Sequence, residues 1–284
     1  MLDTTLVEDV DEVALGLRLR SRPKYLSLAL VTLQQAITYR LPTLLTFLSN
    51  FVWVLILLFL WQTIFAARGQ VGTFDWPRMR TYILVSYVVN SLVTHYSESE
   101  VIYAIREGQI AVDLIRPVDY MAARLAGAAG SALFEGALGG VAALALGIFV
   151  LHVQPPASPG AALAFAVSIA LAFLVRFLIS YLVSLFCFWT ANGLGLMWAR
   201  AAVSNVLSGA LIPLQLFPGW LRSVAAILPF QALVSTPVLI YQGQRAGTGL
   251  LLALGVQVGW AVALWLLARA LWIPCVRRLT VHGG

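Results

Sequence analysis

Few residues in this sequence combine type and spacing in a way that could carry chemistry. Glu135 and Arg176 are the only charges set deep inside long apolar stretches. Such residues are costly in hydrocarbon and mark pathways, relays or pinned pairs. With the turn between their segments placed at residue 156, Glu135 lies 21 residues before it and Arg176 lies 20 after it. On antiparallel neighbouring helices the two would differ in depth by about 1.5 Å. That spacing predicts an intramembrane ion pair. A polar pathway lining, or an Arg176 that reaches for the headgroups, are the alternatives.

Other catalytic patterns are missing. Lys24 is the only lysine, so no Gly-x-x-x-x-Gly-Lys-Ser/Thr phosphate loop can be written from this chain. Cys187 and Cys275 stand alone, each at the end of an apolar run, and form no Cys-x-x-Cys pair. His95, His152 and His282 are too scattered to suggest a metal site. No Gly-x-Ser-x-Gly elbow occurs. An intramembrane enzyme therefore has no catalytic cluster to argue for it.

The elements that must position these residues follow from where charge is absent. The 284 residues are 61% hydrophobic and 11% charged, against about 25% charged in a soluble domain. A soluble enzyme or nucleic-acid-binding domain could not coat its surface with so little charge. Of the 30 charges, 21 fall in three clusters, between Asp3 and Lys24, Arg68 and Arg80, and Glu98 and Arg124. Between them lie charge-free runs long enough for helices crossing about 30 Å of hydrocarbon. The run from Val54 to Leu60 does not alternate, which excludes barrel strands.

Six spans are predicted, near 43–65, 80–96, 125–151, 161–187, 193–212 and 249–271. Residues 213–248 are apolar but hold Pro213, Pro218, Pro229 and Pro237, which a lipid-exposed helix tolerates poorly. They read as short re-entrant helices at the outer leaflet; a seventh span is the alternative. With both termini inside, 12 Lys and Arg residues fall on the inner side and 5 on the outer, which favours cytoplasmic termini. Residues 1–24 lack the apolar core of a cleavable signal. Residues 1–23 read as a disordered tail, and 24–284 as one transmembrane domain.

Two segments are amphipathic. In Tyr25–Arg40, residues Leu26, Leu30, Leu33 and Ile37 share a helical face, and Pro42 breaks the chain before the first span. This predicts an interfacial helix, with an extension of the first span as the alternative. In Glu98–Tyr120, apolar Ile105, Ile110 and Leu114 mix with Arg106, Glu107 and Arg116, while Gly108 interrupts and Pro117 ends the segment. That mixture suits a docking helix for a soluble partner; an interfacial helix without a partner is the alternative. Phe217, Trp220 and Phe230 read as an outer gate or as an aromatic interface belt. The Gly136-Ala-Leu-Gly-Gly140 stretch allows close helix packing.

The segment from Ile105 to Val118, Ile-Arg-Glu-Gly-Gln-Ile-Ala-Val-Asp-Leu-Ile-Arg-Pro-Val, resembles the cytoplasmic helix of exporter-type (type two) ABC transporter permeases. Leu207-Ser-Gly-Ala-Leu-Ile-Pro-Leu-Gln-Leu-Phe-Pro-Gly-Trp-Leu, then Leu228-Pro-Phe-Gln-Ala and Pro237-Val-Leu-Ile-Tyr-Gln-Gly, are similar to the family's fifth span, outer re-entrant helices and approach to the sixth. Phe188-Trp-Thr-Ala-Asn resembles the junction between its fourth and fifth spans.

The resemblance covers about residues 24–275 and implies an all-α membrane fold with a cytoplasmic coupling helix. It implies an ATP-driven exporter in the cell (inner) membrane, with two separate ATPase subunits carrying ATP and Mg, and a second permease, the same or a sister chain. ATPase coupling would fall to Ile105, Arg106, Glu107, Gly108, Ile110, Leu114, Arg116 and Pro117. The substrate class would be a hydrophobic or amphiphilic drug, lipid or natural product. No cofactor within this chain and no nucleic acid are expected. An ion-coupled secondary transporter is the alternative, but it would more often show an internal repeat and several intramembrane acids.

Overall fold

Charge-free runs and strong start signals give an almost wholly helical chain. The computed structural model describes residues 40–94, 97–115, 118–149, 153–190 and 193–277. The predicted tail and interfacial helix lie outside these residues, apart from Arg40. Helix α1 runs Arg40–Arg68, α2 Trp76–Val93, α3 Ser97–Arg106 and α4 Ile110–Ile115. Helix α5 runs Tyr120–Phe149, α6 Pro159–Leu185, α7 Gly193–Leu207, α8 Gly219–Ile227, α9 Ser235–Tyr241 and α10 Gly247–Arg277. Among the described residues there is no strand, only an isolated bridge between Val71 and Phe74.

Local chemistry sets the boundaries. Asp75 caps α2, its Oδ1 accepting from the Arg78 N–H at 3.0 Å. The helix therefore starts at Trp76, ahead of the apolar run predicted from residue 80. Ser158 caps α6, accepting from the Ala161 N–H at 3.0 Å, with Pro159 as the first helical residue. Helix α7 stops at Leu207, short of the predicted 212. Gly209 there takes φ +81°, a left-handed conformation that ends the helix, and Pro213 follows. Its 15 residues span about 22 Å. The stretches Pro159–Phe188 and Gly247–Arg277 each have the length and apolarity of a membrane crossing.

Helix α6 is the hub. It packs against α2, α3, α7, α9 and α10, and nearly every residue from Val175 to Leu185 is buried. Helices α2 and α5 form the tightest pair. A Cβ on Gly136 would come within 2.7 Å of the Leu92 Cα, and one on Gly140 within 3.6 Å of Val88. The Gly-x-x-x-Gly stretch is thus used for close packing inside the chain.

The bundle has two contrasting ends. Helices α3 and α4 form a hairpin beyond the C-terminus of α2 and against the last turns of α6. The short helices of 208–241 sit at the other end. There the Tyr82 hydroxyl donates to the Gly209 carbonyl at 2.8 Å, and the Ser235 N–H donates to the Ser208 carbonyl at 3.0 Å. Gln257 of α10 is fully buried. Its amide accepts from the Ser168 hydroxyl at 2.9 Å and donates to the Ala232 carbonyl at 2.8 Å.

Candidate functional site

The hairpin is built with one face in the bundle and one outside it. On α3, Glu98, Val101 and Ile102 recur at helical spacing and are buried, while Tyr103 and Arg106 are exposed. Ile105 packs partly buried against the core. The turn at Glu107–Gln109 reverses the chain. Gly108 sits there at φ +74° with open space around it, a backbone that favours glycine for conformational rather than steric reasons. The Gln109 amide donates to the Glu107 carboxylate at 3.0 Å across the tip.

Helix α4 then folds back. Ile110, expected from the sequence to fill a partner's groove, is 1% exposed and completes this chain's own core. The apolar side chains that remain outside are Val112, Leu114 and Ile115, the last 84% exposed. Arg106, Glu107 and Gly108 are all exposed at the tip. Arg116 and Pro117 lie outside the described residues.

Ion pairs tie the hairpin to α5 and α7, and the chain just after it to α10. Arg124 of α5 meets Asp113 of α4 at 2.7 Å and Glu100 of α3 at 3.6 Å, and its guanidinium lies 5.0 Å over the Tyr120 ring. Asp119 pairs with Arg269 of α10 at 2.5 Å. Beneath these sits a pair that sequence reasoning missed. Arg200 of α7 donates to both oxygens of Glu98, Nη2 at 2.6 Å and Nε at 3.1 Å. The Glu98 side chain is 3% exposed and that of Arg200 11%. Burial pushes the Glu98 carboxyl up from its ordinary range; Arg200, Arg176 and a bond from Ser180 pull it back.

Arg176, predicted to pair with Glu135, lies beside this pair. Its Nη1 donates to the Asn90 Oδ1 at 3.4 Å, and it also feels the charges of Glu98 and Arg200. The Glu135 side chain lies outside the described residues, although its backbone belongs to α5. One signal for the missed pair was present. Arg200 is the lone charge between two charge-free runs, 177–199 and 201–221.

The suggested outer gate is more dispersed. Phe217 and Phe230 are half-buried, Phe230 against the core, and Trp220 is 70% exposed on α8. Among the described residues no ring contact joins the three.

The bundle thus carries a charge-clamped hairpin at one end and proline-broken helices at the other. The family model described as ABC-2 family transporter protein matches residues 51–283, most of the chain. The chain belongs to the ABC-2 transporter family. No curated protein matches it. As an ABC-2 permease it is a transmembrane transport protein, and its sequence carries no nucleotide-binding loop of its own. The match spans both described ends of the bundle, so hairpin and short helices alike are parts of the permease unit.

Proposed function

We propose that this ABC-2 permease forms the membrane path of an ATP-driven exporter and takes its energy from two separate ATPase subunits through the α3–α4 hairpin. The observation that carries this is the two-faced hairpin. It is anchored by ion pairs to α5 and α7, with the chain just after it paired to α10, while Tyr103, Arg106, Glu107, Val112, Leu114 and Ile115 point away from the bundle. A loop that only joined two helices would not expose this much apolar surface while fixing its backbone so firmly.

In this reading α1, α2, α5, α6, α7 and α10 are the six spans of a single domain over 24–284, in the cell membrane with both termini cytoplasmic. The 22 Å or so of α7 falls short of about 30 Å of hydrocarbon. The turn at 208–216 and the short helices α8 and α9 would complete the crossing as re-entrant elements. ATP and Mg would bind the ATPases. A second permease, the same or a sister chain, would complete the path. The apolar bundle suits a hydrophobic or amphiphilic cargo. An ion-coupled secondary transporter is not favoured by the family.

The test is co-purification of the tagged permease with an ATPase from native membranes. Native chain is expected to bring down a P-loop ATPase. A Val112→Asp/Ile115→Asp variant, altered only on the exposed face, is expected to insert normally and lose it. Gly108→Pro, which forces φ to about −65° at a position held at +74°, is expected to do the same. Recovery of the permease without an ATPase, from native and variant alike, would sink the reading.

A further inference from the structure

The hairpin touches α7 at two places on one face. Glu98 and Ile102 are one turn apart on α3; Gly193 and Arg200 are two turns apart on α7. At the first place Glu98 and Arg200 form their buried two-oxygen contact. At the second, Ile102 seats against Gly193 so closely that a Cβ there would lie 2.8 Å from the Ile102 Cγ2 and would also clash with the Cys187 Sγ. Helix α7 has two main packing partners among the described residues, α6 more extensive than α3. It also packs on the turn at Pro229–Ala232, and leaves Trp198, Val203 and Val206 exposed. Its far end runs into the Ser208–Gly209 turn, which Tyr82 and Ser235 hold by hydrogen bonds.

We propose that the Glu98–Arg200 pair is a strut that makes the hairpin and α7 move as one body, so that displacement of the hairpin is delivered through α7 to the short-helix end. The pair is a positioning device and touches no cargo. The chemistry favours this task. A guanidinium bonded to both carboxylate oxygens fixes orientation as well as distance, which apolar packing alone does not. The proposal rests on the reading that an ATPase displaces the hairpin.

The experiment places spin labels on half-buried Ser99 of α3, one turn before the docking face begins, and on exposed Trp198 of α7, in a Cys187→Ala/Cys275→Ala background, and measures their separation by pulsed electron resonance. The full-length permease is used, with its co-purifying ATPase, in nanodiscs. The expected result is a single narrow distance that is unchanged between the nucleotide-free complex and the complex trapped with MgATP and vanadate. Under the same trapping, the distance from Trp198 to Leu251 of α10 changes. In Glu98→Leu/Arg200→Leu, which removes both charges together, folding and ATP hydrolysis are retained. The 99–198 distance then splits on trapping.

A merely structural pair predicts no split in that double variant, and that outcome overturns the proposal. So does a native 99–198 distance that changes on trapping. Should no ATPase bind, the functional reading fails on its own. The strut is then judged in the permease alone. A distribution that loses its single narrow peak in Glu98→Gln supports it, and one that keeps its native width overturns it.

Discussion

The two ends of this bundle are fastened by different chemistry. At the hairpin end, three arginines from three helices grip carboxylates of the hairpin and the chain just after it. At the short-helix end the long-range ties described above are neutral, with Tyr82, Gln257 and Tyr241 all bonding to backbone carbonyls. A backbone carbonyl is available wherever the chain turns, so neutral ties suit a segment whose prolines free many of them. Ion pairs need two particular side chains, and they hold an element that has few backbone groups to spare. The comparison predicts that the hairpin end depends on a few residues acutely, and the short-helix end on many residues mildly.

The sharpest way to break that comparison is Arg200→Leu. It strands a buried Glu98 carboxylate and is expected to cost about 3–5 kcal/mol of stability. Most of that should return in Glu98→Leu/Arg200→Leu. Unfolding in detergent followed by circular dichroism measures both; equal losses in single and double variants would contradict it. Next is Gly193→Ala, which drives a methyl into Cys187 and Ile102 and should cost about 1–3 kcal/mol. Shortening Ile102 to Ala in the same chain should relieve part of the clash, so the two effects are expected not to add.

At the neutral end, Gln257→Leu leaves the Ala232 carbonyl and the Ser168 hydroxyl without their partner. The expected cost is only about 1 kcal/mol. A loss as large as that of Arg200→Leu would erase the contrast between the ends. The smallest effect is on pH. The Glu98 carboxyl lies above its ordinary range when folded because of burial. Between its unfolded and folded values the folded chain therefore holds a proton that the unfolded chain has released. Stability contributed by this group is fully present below the unfolded value and falls as pH rises through the folded one. Glu98→Gln should flatten that slope in unfolding measured across the acidic range.

What could be read from the sequence depended on whether the signal was local. Charge-free runs located the long helices, since a missing charge is visible one residue at a time. Boundaries needed capping chemistry: Asp75 starts α2 at Trp76, ahead of the apolar run that the absence of charge located. Depth counting matched Arg176 to Glu135, whose side chain lies outside the described residues, and it had no way to bring in Glu98. The structure tucks α3 in far enough for Glu98 to come within the influence of Arg176 and to bond Arg200. No spacing rule reports a contact between residues 102 positions apart. Ile110 illustrates the same limit. Its aliphatic character was plain, but whether it faces the core or a partner is decided by the turn at Gly108.

The long reach of these ties also orders biogenesis. Glu98 emerges from the ribosome 102 residues before Arg200, and Ser168 emerges 89 before Gln257. Until α7 is inserted, the Glu98 carboxylate has no bidentate partner, so the hairpin cannot dock fully. Until the last helix arrives, the Ser168 hydroxyl and the Ala232 carbonyl lack the amide that joins them. The bundle therefore closes in stages during synthesis: α7 supplies Arg200 to Glu98, and the last helix then supplies Gln257 to the short helices and Arg269 to Asp119.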